Sequence, residues 1–256
     1  MKSVIVIPTY EEDYTLPIIL DAVLSLDAGF HVLVVDDNSP DGTGEIAEGY
    51  ASRHPEIRVH HRPGKLGMGS AYRDGFEIVM ADGADVILEM DADLSHNPKF
   101  LPALRDRIGP DADLVLGSRY IHGVRVENWP FRRLMLSRFA NAYVNKVTGM
   151  PMEVASDSTS GFRAYRREVL EAIDLRTVQS NGYSFQVEMT VRAWRLGFNV
   201  REIPITFEEH YLSSSKISRS IVWEAIWRTP LLRFTTPRGR REAETSGEVE
   251  ADRIPR

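Results

Sequence analysis

Short apolar runs alternate with helical patterns through the first half of the chain. The runs are apolar nearly throughout and lie at Ser3–Ile7, His31–Val35, Ile57–His61, Asp85–Met90 and Asp113–Gly117. Strands that are apolar on both faces are typical of a parallel sheet covered by helices on both sides and built from right-handed βαβ units. The pattern therefore predicts an α/β fold with a mostly parallel sheet.

The pattern changes after Tyr120. The elements predicted there are an amphipathic helix at Trp129–Val147, a Ser/Thr/Gly loop at Ala155–Gly161, further helix including Ser184–Leu196, a strand at Val200–Phe207 and a helix at Ile217–Phe234. The late strand is expected to rejoin the sheet. In the last helix, Trp223 and Trp227 are four residues apart and share one face.

Length and composition indicate one domain with appendages. The 256 residues are 43% hydrophobic, which suffices for one sizeable core but not for two full domains. We expect a single domain at 1–236 and a disordered tail at 237–256, where the chain is rich in Arg, Glu, Gly and Pro and has no apolar period.

The chain contains no cysteine, no apolar stretch of about 20 residues and no leader-like start. Disulfides and thiolate metal sites are therefore excluded, so any metal must bind oxygen or imidazole. We expect a cytoplasmic protein that is neither secreted nor membrane-spanning.

The charges are distributed unevenly. The net charge of −6 argues against general nucleic-acid binding. Yet two stretches, Ser118–Met150 and Tyr211–Arg240, each carry six cations against one glutamate. Either stretch is suited to anionic lipid or phosphate. Helices at 129–147 and 217–234 are therefore candidates for a membrane interface. Of their aromatic residues Trp129, Phe131, Phe139, Trp223 and Trp227, we expect at least half to pack into the core instead.

The residues that follow the predicted strands are candidates for chemistry, because ligands of a parallel sheet bind beyond the carboxyl ends of its strands. They are Pro8–Glu12, Asp36 and Asp37, Asp91–Asp93, and Ser118 and Arg119. Asp91 and Asp93 flank Ala92, so both carboxylates point the same way in an extended loop and suit Mg²⁺ or Mn²⁺. Alternatively, Asp93 or Ser95 caps a helix that begins near Pro98.

Two further candidate groups also have simpler explanations. Asp37 is placed to accept hydrogen bonds from a nucleotide, but the run 36–42 is dense in turn formers, and some of its acids only cap the next helix. Arg119, Arg133 and Ser137 are suited to bind phosphate, whereas Arg132, Arg138 and Lys146 are assigned to a solvated or lipid-facing surface. His96 is the one histidine with a candidate role, supporting the metal site.

Other nucleotide and hydrolase motifs are missing. Gly67-Met68-Gly69 lacks the third glycine of the dinucleotide fingerprint, since Tyr72 stands there. There is no phosphate-loop motif and no nucleophile elbow, so dehydrogenase, phosphate-loop ATPase and acyl-transfer chemistry are poor fits.

Six motifs together resemble family 2 glycosyltransferases, and most of all their dolichol-phosphate mannosyltransferase branch, from Val4 to Phe234. They are Ile7–Glu12, Val35–Thr43, Met90–His96, Gly117–Tyr120, Ser160–Arg163 and Gly182–Met189. The resemblance implies a GT-A fold and an inverting, metal-dependent enzyme that transfers mannose from GDP-mannose to dolichyl or polyprenyl phosphate.

The resemblance also implies roles for individual residues. Those implied to hold the nucleotide sugar are Pro8, Tyr10, Glu12, Val35, Asp37, Asp91, Ala92, Asp93, Arg119, His210 and Lys216. Asp91 and Asp93 would carry Mg²⁺ or Mn²⁺, and Arg119, Arg133 and Ser137 match the acceptor-phosphate site. Asp93, Arg119, Arg133 and Lys216 are the implied catalytic residues. His210 stands where the family usually has arginine, and Ser213–Ser215 replaces its Gly-Glu-Ser.

Three rival functions remain at this stage. A polyprenyl-phosphate glucosyltransferase using UDP-glucose differs only in pocket shape, which spacing does not reveal. A metal-dependent nucleotide-sugar hydrolase would use the same aspartates without needing Arg133 or Ser137. A non-catalytic binding module would not need intact Asp91 and Asp93. A lipid acceptor implies either peripheral contact with the cytoplasmic membrane face or recruitment by a membrane protein.

Overall fold

A computed structural model describes residues 1–178, 180, 182–208, 227–233, 235, 236 and 239, and the side chains of Tyr183 and Glu208 lie outside that description. The predicted helix at 217–234 is described only at 227–233, which is helical. Most of the predicted tail at 237–256 lies outside the described residues. The division into a domain and a tail therefore stays a prediction.

The described strands and helices alternate as expected. The strands are β1 (Ser3–Thr9), β2 (Phe30–Asp36), β3 (Ile57–His61), β4 (Val86–Glu89), β5 (Leu114–Ser118), β6 (Val126–Glu127), β7 (Arg163–Arg166), β8 (Val200–Pro204) and β9 (Phe207–Glu208). The helices are α1 (Thr15–Leu24), α2 (Thr43–Ala51), α3 (Met68–Ala81), α4 (Leu101–Arg107), α5 (Phe131–Thr148), α6 (Arg167–Ala172) and α7 (Tyr183–Arg195), with single 3₁₀ turns at Pro98–Phe100 and Leu175–Thr177.

Seven of these strands form one sheet in the order β3-β2-β1-β4-β7-β5-β8, and β6 and β9 form a small separate ladder. Strand β7 is antiparallel to both of its neighbours, β4 and β5, while the other pairs in the large sheet are parallel. The α/β fold with a mostly parallel sheet is thus confirmed. The carboxyl ends of β1, β2, β4 and β5 consequently lie along one edge.

Apolar side chains cover both faces of the sheet. In β1, Val4 and Val6 belong to the core cluster on one face, and Ile5 and Ile7 belong to the cluster on the other. Successive strand residues point to opposite faces, so a central strand between two helical layers is apolar throughout. This explains why the period of two is absent from the sequence of β1. Within the described ranges, no helix has the length and apolar character needed to cross a bilayer.

Two predictions for the second half of the chain are wrong. The segment after Gly161, expected to be helical, is strand β7, a four-residue strand with an arginine at each end. The late strand does rejoin the large sheet as β8, but it ends at Pro204 and not at Phe207, which belongs to β9 and pairs with β6. Proline lacks the N–H group that would continue a ladder, which is consistent with the break.

Strand β7 brings a charged pair into the centre of the sheet. Arg163 lies opposite Glu89 in the β4–β7 register, and both side chains are fully buried, with Arg163 Nε 3.8 Å from Glu89 Oε2. The guanidinium donates to the carbonyl oxygens of Ser160 and Gln186 and to the hydroxyl of Thr190. Burial raises the pKa of Glu89 to about 7, against the opposing charge of Arg163.

Helix α3 packs unusually close to the sheet at Gly75. A β-carbon at this position would lie 2.5 Å from Val6 Cγ1 and 3.2 Å from Val35 Cγ2. The glycine therefore lets the helix approach β1 and β2. The close packing offsets the lower helix propensity of glycine, which costs roughly 1 kcal/mol.

We expect the stability of wild type relative to Glu89→Gln to depend on pH. The folded state holds the Glu89 proton more tightly than the unfolded chain, so this stabilisation is lost as pH rises from about 4.5 towards 7. Glu89→Gln has no titrating proton at this position, so its stability does not change in this way. The unfolding free energy of the variant minus that of wild type should therefore increase by about 3 kcal/mol as pH rises from about 4.5 to 7. Urea unfolding at pH 5 and pH 8 measures the difference, and a constant difference would contradict the raised pKa.

We expect Gly75→Ala to destabilise the fold by about 1–3 kcal/mol, because the added methyl group overlaps Val6. Gly49→Ala is the matched control, since nothing lies within 4 Å of a β-carbon at this exposed position of α2. That control should stabilise by about 0.5–1 kcal/mol. Thermal or urea unfolding of both variants tests the contact, and equal effects would mean that α3 does not pack this closely.

Candidate active site

The predicted acidic residues meet at the carboxyl ends of the central strands. Glu12 follows β1, and Asp91 and Asp93 follow β4. Burial raises the pKa of Glu12, and the charges of Asp93 and Asp91 raise it further, while a hydrogen bond from Thr15 opposes them. Three carboxyl groups from two chain-distant segments thus influence one another across the crevice.

Asp91 is held in place from both sides. The Tyr72 hydroxyl donates to Asp91 Oδ1 at 2.8 Å, and the main-chain N–H of Asp91 donates to His96 Nδ1 at 3.0 Å. His96 is buried and stacks on Phe162 with ring centroids 4.8 Å apart, and burial lowers its pKa. Burial raises the pKa of Asp91, Asp93 adds to the effect, and His96 and Tyr72 oppose it. These contacts fix the orientation of the Asp91 carboxyl group.

Exposure alternates in the loop around Ala92, although the chain bends at residues 92–94 instead of being extended. Ala92 is buried, whereas Asp91 and Asp93 on either side of it are partly exposed. Asp93 Oδ1 accepts a hydrogen bond from the main-chain N–H of Ser95. The alternative that Asp93 or Ser95 caps the turn at Pro98 is wrong, because the side chain of Asn97 accepts the hydrogen bond from Lys99 there.

These carboxylates suit a hard divalent cation that is also bound by its substrate. Within the described part of the chain, no cluster of three or more Asp, Glu or His side chains is arranged to hold a metal ion. Mg²⁺ and similar ions typically take one or two protein carboxylates and complete their shell with phosphate oxygens and water. Asp91 and Asp93 are a pair of partly exposed aspartates that fits this pattern, with His96 Nε2 3.9 Å from Asp91 Oδ2.

The predicted nucleotide pocket is bounded by an anchored loop at 62–67. The Asp37 carboxylate is buried, forms an ion pair with Arg62 and accepts main-chain hydrogen bonds from Leu66 and Gly67. Arg62 also donates to Asp74 Oδ2 at 2.8 Å. Asp37 therefore holds this loop in place, a role that the strand-end argument did not foresee.

Three other predicted nucleotide residues take different positions around this pocket. Tyr10 is partly exposed, and Lys65 Nζ lies 3.6 Å above the centre of its ring. Pro8 and Val35 are paired in the β1–β2 register, and the Val35 side chain is fully buried in the core. A nucleotide would consequently meet the main chain of Val35 and not its side chain.

The turn explanation is confirmed for two acids of the 36–42 run. Asp41 accepts hydrogen bonds from the main-chain N–H and the hydroxyl of Thr43, the first residue of α2. Asp36 accepts hydrogen bonds from the main-chain N–H and the hydroxyl of Ser39. The turn explanation thus holds for Asp36 and Asp41, whereas a contact between Asp37 and a nucleotide stays a prediction.

The predicted phosphate-binding residues also come together. Arg119 and Arg133 both lie over the ring of Trp129, at 5.2 Å and 4.5 Å from its centre. Ser137 accepts a hydrogen bond of 2.6 Å from Tyr120, whose ring also lies beneath Arg119. Residues from the end of β5 and from the first turns of α5 thus lie together around the rings of Trp129 and Tyr120.

Arg119 has a buried partner that the sequence analysis missed. Its Nε and Nη2 donate to the two carboxylate oxygens of Asp157 at 2.7 Å and 2.6 Å, and its main-chain N–H donates to the same side chain. Burial raises the pKa of Asp157, but Arg119 outweighs this effect and keeps the pKa below its ordinary value. Asp157 lies in the polar 155–161 loop. An acidic residue in this loop was the sequence feature from which its role could have been inferred.

The predicted donor-closing residues His210 and Lys216 lie outside the described residues, so their roles stay predictions. Arg132, Arg138 and Lys146 are exposed, as expected for a solvated or lipid-facing surface. Tyr72, which orients Asp91, was considered in the sequence only as the residue that breaks a glycine motif.

Comparison with known proteins identifies the family of this chain. The model of the family described as glycosyl transferase family 2 matches residues 4–174. Polyprenol monophosphomannose synthase of Mycolicibacterium smegmatis is 47% identical over 228 residues, which are 89% of this chain and 85% of that protein. Undecaprenyl-phosphate mannosyltransferase of Micrococcus luteus is 45% identical over 226 residues, which are 88% and 91% of the two chains.

The fold is similar to that of a solved glycosyltransferase. Glucosyl-3-phosphoglycerate synthase from Mycobacterium tuberculosis, in complex with Mn²⁺, UDP and glucosyl-3-phosphoglycerate, aligns with a TM-score of 0.67 and 21% identity over 92% of this chain and 81% of that one. At this identity the likeness establishes the GT-A-type fold alone. The fold, the family match and the two relatives together show that the chain is a member of glycosyltransferase family 2.

Proposed function

We propose that this glycosyltransferase transfers mannose from GDP-mannose to a polyprenyl phosphate such as dolichyl phosphate. The observation that supports the proposal is that the carboxylates after β4 and a polar group of Arg119, Arg133 and Ser137 after β5 belong to the same edge of the sheet. A diphosphate donor with its cation suits the first group, and an anionic lipid phosphate suits the second. The names of the two relatives support a polyprenyl phosphate acceptor and a mannosyl product.

The proposed reaction needs no general base. A lipid phosphate is already anionic at neutral pH, so its oxygen attacks the anomeric carbon directly. The new bond joins that oxygen to the anomeric carbon, the bond to the donor diphosphate breaks, and GDP leaves with inversion, giving a β-linked polyprenyl-phosphate mannose. Catalysis then reduces to aligning the two substrates and stabilising the departing diphosphate.

The residues divide this work. Asp91 and Asp93 would hold Mg²⁺ or Mn²⁺, which supplies positive charge to the leaving diphosphate when bound. Pro8, Tyr10, Glu12, Val35 and Asp37 would line the nucleotide site with Ala92. Arg119, Arg133 and Ser137 would orient the acceptor phosphate. Lys216, with His210, is proposed to close over the donor.

Donor identity is the least constrained part of the proposal. The structural relative named above was solved with UDP, and a uridine nucleotide would meet the same strand ends. UDP-glucose is therefore retained as the alternative donor. A nucleotide-sugar hydrolase is the less favoured alternative, because the basic group around Trp129 would have no substrate to bind.

One surface suits contact with the membrane that contains the lipid acceptor. The first half of α5 exposes apolar side chains, namely Phe131, Met135, Leu136 and Phe139. Its second half buries Asn141, Val144, Asn145 and Thr148 on another face. Phe131, Phe139 and Trp227 are about seven-tenths exposed, so the expectation that at least half of the interfacial aromatics pack into the core is wrong. We propose that this surface lies on anionic lipid, directly or with a membrane-protein partner.

We expect Asp93→Ala to reduce mannosyl transfer by at least about 100-fold, because the departing diphosphate loses charge stabilisation. The assay follows labelled mannose from GDP-mannose into a short polyprenyl phosphate, with Mg²⁺ or Mn²⁺ present or chelated. Asp106→Ala is the control, since this side chain is 65% exposed on α4 and distant in sequence from every strand end at the crevice.

The same assay separates the alternatives. Lipid product from UDP-glucose but not from GDP-mannose would show that the donor is wrong. Release of free sugar with no lipid product would favour the hydrolase. Full activity of Asp93→Ala under chelation would contradict the metal site.

We expect Phe131→Ser and Phe139→Ser each to weaken binding to vesicles that contain anionic lipid by about 10-fold, because each removes apolar area from the interface. Co-sedimentation with vesicles measures the effect. Ile18→Ser, which changes a partly exposed apolar residue of α1, is the control and should bind like wild type. Unchanged binding of both phenylalanine variants would contradict the proposed surface.

A further inference from the structure

A continuous series of ring contacts joins the Asp91 side of the site to its basic side. His96 accepts the hydrogen bond from the Asp91 main chain and stacks on Phe162. The edge of His96 meets Phe207 with ring centroids 6.0 Å apart, and Phe207 meets Trp129 at 5.4 Å, both in T-shaped arrangements. Such edge-to-face contacts are favourable and have a defined geometry. The two halves of the crevice are therefore mechanically connected through side chains.

Trp129 stands at the basic end of this series. Arg119 and Arg133 both lie within cation–π distance of its ring, and Arg119 also lies 5.5 Å from the ring of Phe207. Two like charges near one another repel, and the negative faces of the aromatic rings offset part of that repulsion. Asp157 holds the Arg119 guanidinium, and the indole ring contacts both that group and the guanidinium of Arg133.

The position of Trp129 follows from the small β6–β9 ladder. Val126 pairs with Phe207 in this ladder, and Trp129 follows β6 by two residues. The indole Nε1 is buried, and no group in the described part of the chain accepts a hydrogen bond from it. Contacts with its ring, and not a hydrogen bond from its nitrogen, are therefore what the structure shows holding this side chain.

We propose that Trp129 is a positioning residue of the acceptor-phosphate site. Its ring sets the spacing of Arg119 and Arg133, and its contact with Phe207 relates that spacing to His96 and Asp91. The ligand that benefits is a monoalkyl phosphate, whose oxygens need two guanidinium groups at a fixed separation. Trp129 acts through the arginines and does not touch the reacting atoms. The inference rests on the proposed function for its kinetic test, although not for its binding test.

The kinetic test compares Trp129→Leu and Trp129→Phe, with farnesyl phosphate as acceptor and GDP-mannose as donor. Trp129→Leu loses two cation–π contacts, so its KM for farnesyl phosphate should rise about 10- to 30-fold while its KM for GDP-mannose stays within about 2-fold. Trp129→Phe keeps a ring and should raise the acceptor KM by less than about 5-fold. A merely structural role would change both KM values together and would not be rescued by phenylalanine.

A matched control removes a similar pair elsewhere. Arg105 lies 4.8 Å from the ring of Phe30, at the amino end of β2 and thus at the opposite edge of the sheet from the crevice. Phe30→Leu should leave both KM values as in wild type. An equal rise of the acceptor KM in this control would show that loss of any such pair is enough.

Calorimetric titration with farnesyl phosphate, in the absence of donor, tests the inference without turnover. Wild type should bind, Trp129→Leu should bind at least about 10-fold more weakly, and Trp129→Phe should lie between them. If wild type binds but forms no mannosylated lipid, the proposed function fails and the titration alone decides the role of Trp129. Equal affinity of wild type and Trp129→Leu, or no binding to wild type, would overturn the inference.

Discussion

The buried ion pair between Arg119 and Asp157 is the interaction on which the arrangement of the site depends. It joins the end of β5 to the 155–161 loop, 38 residues later, through three hydrogen bonds to one carboxylate. Gly161, at the end of this loop, lies beside Asp91, since a β-carbon there would be 3.3 Å from Asp91 Oδ2. Through the 155–161 loop, the pair thereby connects Arg119 on the basic side with Asp91 on the acidic side. Removing one partner would leave a buried charge without compensation, which is among the costliest changes a core can suffer.

The two sides of the crevice treat charge differently. On the basic side, Arg119 is balanced by Asp157 and surrounded by aromatic faces. On the acidic side, Asp91 and Glu12 have raised pKa values because burial and neighbouring carboxylates act together. A cation that arrives with the donor would compensate the negative charge of this group and oppose the rise of these pKa values. In the proposed enzyme, the acceptor side is therefore held rigidly by protein contacts. The charge of the donor side is balanced only when the donor and its cation bind.

The sequence predicted most of the sheet and the residues at its edge, and it failed where long-range pairing decided the outcome. Strands β1 to β5 were recognised because each is an apolar run near a turn signal. Strand β7 was missed because its four residues begin and end with arginine, and only the buried partners of Arg163 make that sequence tolerable in a central strand. Asp157 and Tyr72 were missed as site residues for the same reason, since their partners lie 38 and 19 residues away.

By itself, the sequence determined the fold class and the set of strand ends that carry chemistry, because both depend on local periodicity and on the common direction of parallel strands. It also identified Asp91 and Asp93 as candidates, whereas the burial of Ala92 between them arises in a bend that the sequence did not predict. Only the tertiary structure decided which side chains are engaged elsewhere: Asp37 with the 62–67 loop, Val35 in the core, and Arg119 with Asp157 and Trp129. Those assignments depend on distances between segments that are remote in the chain, and no local pattern encodes such distances.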